Sequence, residues 1–117
     1  MRYMMIVQSA ESNIPPPDAL MQAIGKLAED AMKAGTMLGM GGLAPTSQGT
    51  RVRLSGGKLS VVDGPFTEVK EIIGGYAQFE FPTKEAAIKS AVDFMELHRK
   101  HWPEWDGVTE VREIVAG

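Results

Sequence analysis

The sequence predicts a single α+β domain, on three observations. Two long segments repeat apolar residues at helical spacing. Several short apolar or alternating runs, set off by glycine and proline, have the period of strands. The two kinds follow one another as strand, helix, strand, hairpin, strand, helix, strand. The 117 residues lie within the usual size of one domain, so residues 1–117 are taken as one unit.

Tyr3 to Val7 is the first strand, an apolar run ended by Gln8-Ser9. Glu11 to Pro17 is a polar, proline-rich loop. Pro17 suits a first helical position and Asp18 the positive first turn. Leu20, Ala23, Ile24, Leu27, Ala31 and Ala34 then repeat at helical spacing, which predicts a helix over 17–34 with Gly35 closing it. Thr36 to Leu43 is a glycine-rich strand, whose bare Cα positions admit a close neighbour.

Thr50 to Leu54 alternates, Ser55-Gly56-Gly57-Lys58 turns, and Leu59 to Val62 runs back. Gly-Gly between two such runs signals a hairpin. Asp63-Gly64-Pro65-Phe66 is the next break, and Thr67 to Ile73 is a linker or helical turn. Gly75 to Phe81 predicts a strand with Ala77, Phe79 and Phe81 on one face and Tyr76, Gln78 and Glu80 on the other. Thr83 caps a second helix over 83–101, ended by Pro103. Val108 to Val115 is the last strand, with Val111 and Val115 opposite Glu110 and Arg112.

This order, with a mostly antiparallel sheet, predicts a split βαβ, ferredoxin-like layout with an extra hairpin. Both helices then cover one sheet face. The other face, with Tyr76, Gln78, Glu80, Glu110 and Arg112, must meet water, a ligand or a second subunit. A two-fold dimer with a pocket near its seam is the favoured arrangement.

Composition narrows the function classes. Twelve basic and fifteen acidic residues give a net charge of −3, with no block of like charge. That pattern does not suit capture of nucleic acid or an anionic membrane. Cysteine is absent, which excludes disulfides, thiolate metal ligands and a cysteine nucleophile. No stretch approaches the ~18 apolar residues of a membrane helix, and the apolar run at Met1 to Val7 is too short for a secretory leader. A soluble, cytoplasmic protein is expected.

Val62-Asp63-Gly64-Pro65-Phe66-Thr67-Glu68-Val69-Lys70-Glu71, followed by Ile73-Gly74-Gly75-Tyr76, resembles the signature of YCII-related domain proteins of the DGPF branch. Lys33-Ala34-Gly35, Arg51-Val52-Arg53 and Glu110-Val111-Arg112 extend the likeness over nearly the whole chain. The resemblance implies a ferredoxin-like fold that dimerises through its sheets as an α+β barrel. It also implies small-molecule chemistry in some relatives, including enzymes of aromatic degradation, and association with extracytoplasmic-function sigma factors in others. Catalytic His and Asp residues are discussed for the YCII branch. Its histidine near the start of helix one has no counterpart here, since the only histidines are His98 and His101.

Asp63 and His98 are the candidate catalytic groups. Asp63 at a pocket mouth would be a general base or acceptor, with Phe66 as an apolar wall. The same residues also suit a turn with no ligand, Asp bonding its own backbone and Gly64-Pro65 shaping the bend. His98, on the apolar arc of helix two, would carry a proton near neutral pH or be a satisfied interior histidine. Phe66, Tyr76, Gln78 and Arg112 are the candidate ligand contacts, Arg112 pairing a carboxylate; on the sheet face they serve equally as inter-subunit contacts.

No metal is expected, because His98 and His101 at i and i+3 with an unplaced carboxylate fall short of a ligand set. No cofactor is expected either: Gly39 to Gly42 has neither the lysine and spacing of a P-loop nor a dinucleotide fingerprint. Arg51 and Arg53 suit solvated charges on an edge hairpin. Two function classes follow. One is a small-molecule binder, with acid–base catalysis on an aromatic or carboxylated metabolite as its extension. The other is a regulatory or partner-binding module acting with a sigma factor.

Overall fold

The computed structural model describes residues 1–116. Its elements are β1 (Arg2–Ser9), α1 (Asp18–Lys33), β2 (Met37–Gly42), β3 (Thr50–Ser55), β4 (Lys58–Asp63), β5 (Ile72–Glu80), α2 (Lys84–His101) and β6 (Val108–Glu113), with a single 3₁₀ turn at Thr46–Gln48. Four strands form one sheet in the order β2-β5-β1-β6, every neighbouring pair antiparallel. This is the ferredoxin-like α+β arrangement expected from the element order. β3 and β4 form a separate two-stranded sheet. No helix is long and apolar enough to cross a membrane among the described residues.

Local chemistry sets the helix ends. The amides of Leu20 and Met21 both donate to the Pro17 carbonyl, at 3.0 and 3.1 Å. At the far end Thr36 donates to Ala31 and Gly35 to Met32, at 3.0 and 3.1 Å, with Gly35 at φ +77°. That is a Schellman closure, which needs the left-handed residue glycine supplies. In α2 the Thr83 hydroxyl accepts from the Ala86 amide at 3.1 Å, satisfying one orphan donor of the first turn.

Register decides which side chains face the helices. Tyr3 pairs with Phe79, and Met5 with both Ala77 and Val111. These share the face packed against Ala31 of α1 and Ala91 of α2. Tyr3, Met5, Leu20 and Phe79 are buried, each contributing about 1.5–3 kcal/mol of transfer free energy. Ala28 of α1 and Ala87 and Ala91 of α2 are buried as well. Met4, Ile6, Tyr76, Gln78, Glu110 and Arg112 share the opposite, uncovered face, as the alternation predicts.

Two strand ends differ from the sequence reading. β5 starts at Ile72 rather than Gly75, because Ile72 and Ile73 pair with Ser9 and Gln8 beyond a register shift at Val7/Gln8. Gly74-Gly75, which looks like a break, lies inside the strand. β6 stops at Glu113 rather than Val115, its last pair being Glu113 with Tyr3.

The hairpin turns through Gly56 and Gly57, at φ +58° and +78°. Positive φ at both central residues matches the twist of the flanking strands and favours glycine. β3 and β4 pack mainly on one another. They form an arm: the radius of gyration is 16.0 Å, against about 13 Å for a compact chain of this length.

Candidate functional site

The helix-covered face of the sheet is not fully filled. Gly42 and Gly75 pair with one another, and Gly75 with Val7, so two successive strands carry no side chain at that point. A Cβ at Gly42 would meet nothing closer than 3.9 Å. The gap continues under α1 as a cavity of about 340 Å³. Met5, Met21, Met37, Met40, Ile24 and Phe94 are among its walls, and Ser90 and Tyr76 are the residues with polar side chains that border it. No arginine, lysine, histidine or carboxylate lines it among the described residues.

Four of the lining residues are methionine, Met5, Met21, Met37 and Met40. Unbranched thioethers adapt to irregular shapes and make favourable contacts with aromatic rings. An apolar cavity of roughly 150 Å³ stays dry and accepts benzene; this one is about twice as large. Such a lining offers apolar contacts and no charged partner.

His98 stands behind one wall of the cavity. Its ring packs on Phe94, a lining residue, at 4.6 Å, and on Trp105 at 4.5 Å between centroids. It is 7% exposed. Nδ1 lies 3.0 Å from the Phe94 carbonyl oxygen. A carbonyl only accepts, so Nδ1 carries the hydrogen and the neutral ring keeps its lone pair on Nε2. Burial holds the imidazole below its usual pKa, and the bond to Phe94 opposes that shift in part. His101 and the carboxylates do not join it. No three His, Asp or Glu side chains gather as a metal set would among the described residues.

The Asp63-Gly64-Pro65-Phe66 turn lies elsewhere, at the base of the arm. The Asp63 carboxylate accepts from the Thr50 hydroxyl across the hairpin at 2.9 Å. The Gly64 amide donates to the Gly49 carbonyl at 2.8 Å. The Phe66 amide approaches the Thr46 hydroxyl at 3.5 Å. That hydroxyl and the Thr46 amide both donate to Glu11, and these bonds hold the Glu11 carboxyl below the usual range. The Arg51 guanidinium lies 3.8 Å over the Phe66 ring and pairs with Glu68. Glu68 is held low by its own backbone amide first and by Arg51 second.

The predicted site residues therefore fall in three places. Asp63 and Phe66 sit in the arm's base, and neither lines the cavity. Gln78 and Arg112 lie on the uncovered sheet face, where Arg112 faces Glu110 at 3.4 Å. Tyr76 connects the two regions: its register places it on the uncovered face, while it also borders the cavity. Its ring covers Gly41, whose added Cβ would sit 2.9 Å from the Tyr76 hydroxyl. The bare second strand is thus approached closely by a side chain of its own chain. The methionine lining escaped the sequence reading. Its signal was present in the spacing of Met37 and Met40 and in the paired glycines, but only strand register makes them neighbours.

Sheet order and helices packed on one face of the sheet define a ferredoxin-like α+β domain. The chain belongs to the YCII-related domain family, whose model matches residues 1–115. Comparison with curated proteins returned no match.

Proposed function

We propose that this chain is a DGPF-type member of its family that pairs through its uncovered sheet faces and binds a small, uncharged aromatic molecule in the cavity under α1. The single observation that carries the reading is the cavity of about 340 Å³, a volume within the range of ligand pockets, about 300–1,000 Å³. The absence of a cation among its described lining residues favours a neutral ring over a carboxylate, which would lose hydration without a partner. In this reading His98 shapes the wall from behind Phe94, and Asp63 holds the arm's base. Gln78 and Arg112 belong to the dimer seam.

The test is a thermal-shift titration with 1-naphthol and, separately, 1-naphthoate. Naphthol should raise the melting temperature and naphthoate should not. Gly42→Leu, which fills the cavity from a strand position where a Cβ would meet nothing closer than 3.9 Å, should abolish the naphthol shift while folding normally. Asp63→Asn should leave the shift intact. Binding that survives Gly42→Leu, or a naphthoate shift lost in Asp63→Asn, would sink the reading.

A further inference from the structure

Helix packing does not require the serine at position 90. Ala86, Ala87 and Ala91 stand beside it in the sequence, and Ala87 and Ala91 are buried. Serine is a weaker helix former than alanine, because its hydroxyl competes for backbone groups. Ser90 is half-buried rather than solvated on the outer face.

The helical repeat fixes which side of α2 it occupies. Ser90 and Phe94 are i and i+4, neighbours on one helix face, and both border the cavity under α1. Ile88, Val92 and Met95 fall on the other flank, along a groove shared with Thr109 and Val111 of β6.

A serine inside a helix usually bonds the carbonyl four residues back or points into water. The side-chain hydrogen bonds of α2 and its cap engage Thr83, the Lys89–Asp93 pair, Met95, the Arg99–Glu96 pair and His98. None engages Ser90, so the Ala86 carbonyl is not its partner. No buried side-chain oxygen or nitrogen lacks a partner among the described residues. The unpaired Ser90 oxygen is therefore not sealed in the protein and can be reached from the space beside it. Tyr76, the other bordering residue with a polar side chain, lies over Gly41 with the register of the uncovered sheet face.

We propose that Ser90 is the specificity-determining residue of the cavity, its hydroxyl bonding one oxygen carried by an uncharged ring. The ligand class is then a monohydroxylated aromatic. This inference rests on the reading of the cavity given above. A serine hydroxyl both donates and accepts, so it meets a phenolic OH in either role. In apolar surroundings the choice is sharp. A ligand hydroxyl buried without a partner loses its hydration, and a ring without an oxygen leaves the Ser90 hydroxyl covered and unpaired.

The test compares 1-naphthol with 1-methylnaphthalene, in which a methyl group replaces the hydroxyl, by calorimetric titration. Ser90→Ala should shift the ratio of the two Kd values toward methylnaphthalene by about three- to tenfold, the usual worth of one neutral hydrogen bond. Ser90→Thr, which keeps the hydroxyl, should hold the wild-type ratio. The ligand-free alanine variant should melt no lower than wild type. An unchanged ratio in Ser90→Ala overturns the proposal, while continued binding of both ligands leaves the cavity reading standing. Equal weakening of both ligands would mean lost packing and overturns it too. A ratio that moves in Tyr76→Phe and not in Ser90→Ala gives the role to Tyr76, which again overturns it. A wild-type chain that binds neither ligand overturns the cavity reading and this inference with it.

Discussion

The carbonyl oxygen of Thr46 occupies the space that a side chain on Gly64 would need: a Cβ built there would lie 1.7 Å from it. No rotamer relieves that overlap, since both partners are backbone. The requirement for glycine in the Asp63-Gly64-Pro65-Phe66 turn is thus steric. Gly64→Ala should displace the 3₁₀ turn and cost about 1–3 kcal/mol or more, read as a lowered urea midpoint. Gly49→Ala, whose Cβ would meet Phe66 at 3.3 Å, should cost less. A Gly64→Ala chain as stable as wild type would refute the steric account.

Arg51 offers a second handle on the same base, through its stack on Phe66 and its pair with Glu68. A planar guanidinium does both at once, whereas an ammonium does not. Arg51→Lys should therefore lose most of what Arg51→Ala loses, about 0.5–1 kcal/mol for an exposed contact. High salt should weaken only the ion-pair share. A lysine variant matching wild type in thermal melts would show that charge alone matters.

His98 predicts a pH dependence of stability. Its folded-state pKa is lowered by burial, so the unfolded chain binds the proton more readily. The stability is full above the unfolded value of about 6.5 and falls as pH drops from there through the folded value. Glu11 and Glu68, also held low, lose their contribution as pH falls from the unfolded carboxylate value through the folded one, below most of the histidine range. Chemical denaturation at pH 7.5 and 5.2 should show wild type losing stability over that interval and His98→Phe losing markedly less. Equal losses would remove His98 as the cause.

Thr83 gives a prediction confined to α2. Its side chain is the acceptor for the Ala86 amide, so Thr83→Ala should cost about 1 kcal/mol and Thr83→Ser far less. Hydrogen exchange at Ala86 should quicken in the alanine variant alone.

Much of the fold was legible in the residues themselves. Periodicity at Leu20, Ala23, Ile24 and Leu27 and alternation at Tyr76 to Phe81 are local properties, and they placed both helices and the two faces of β5. Gly35, Thr83 and Pro103 mark ends because capping and steric blocks act within a few residues. β5's start was hidden because Gly74-Gly75 has the local signature of a turn, and only pairing with Gln8 and Ser9 carries a strand through it.

The fold class, the sidedness of the sheet and the family resemblance are all written along the chain. Each of these depends on patterns repeated along the chain. Tertiary structure alone decided where space remains. It set Gly42 against Gly75 and brought Met5, Met21, Met37 and Met40 around one void. It also carried Asp63 and Phe66 away to the arm's base. A cavity is defined by what distant segments fail to fill together, and no single segment encodes that deficit.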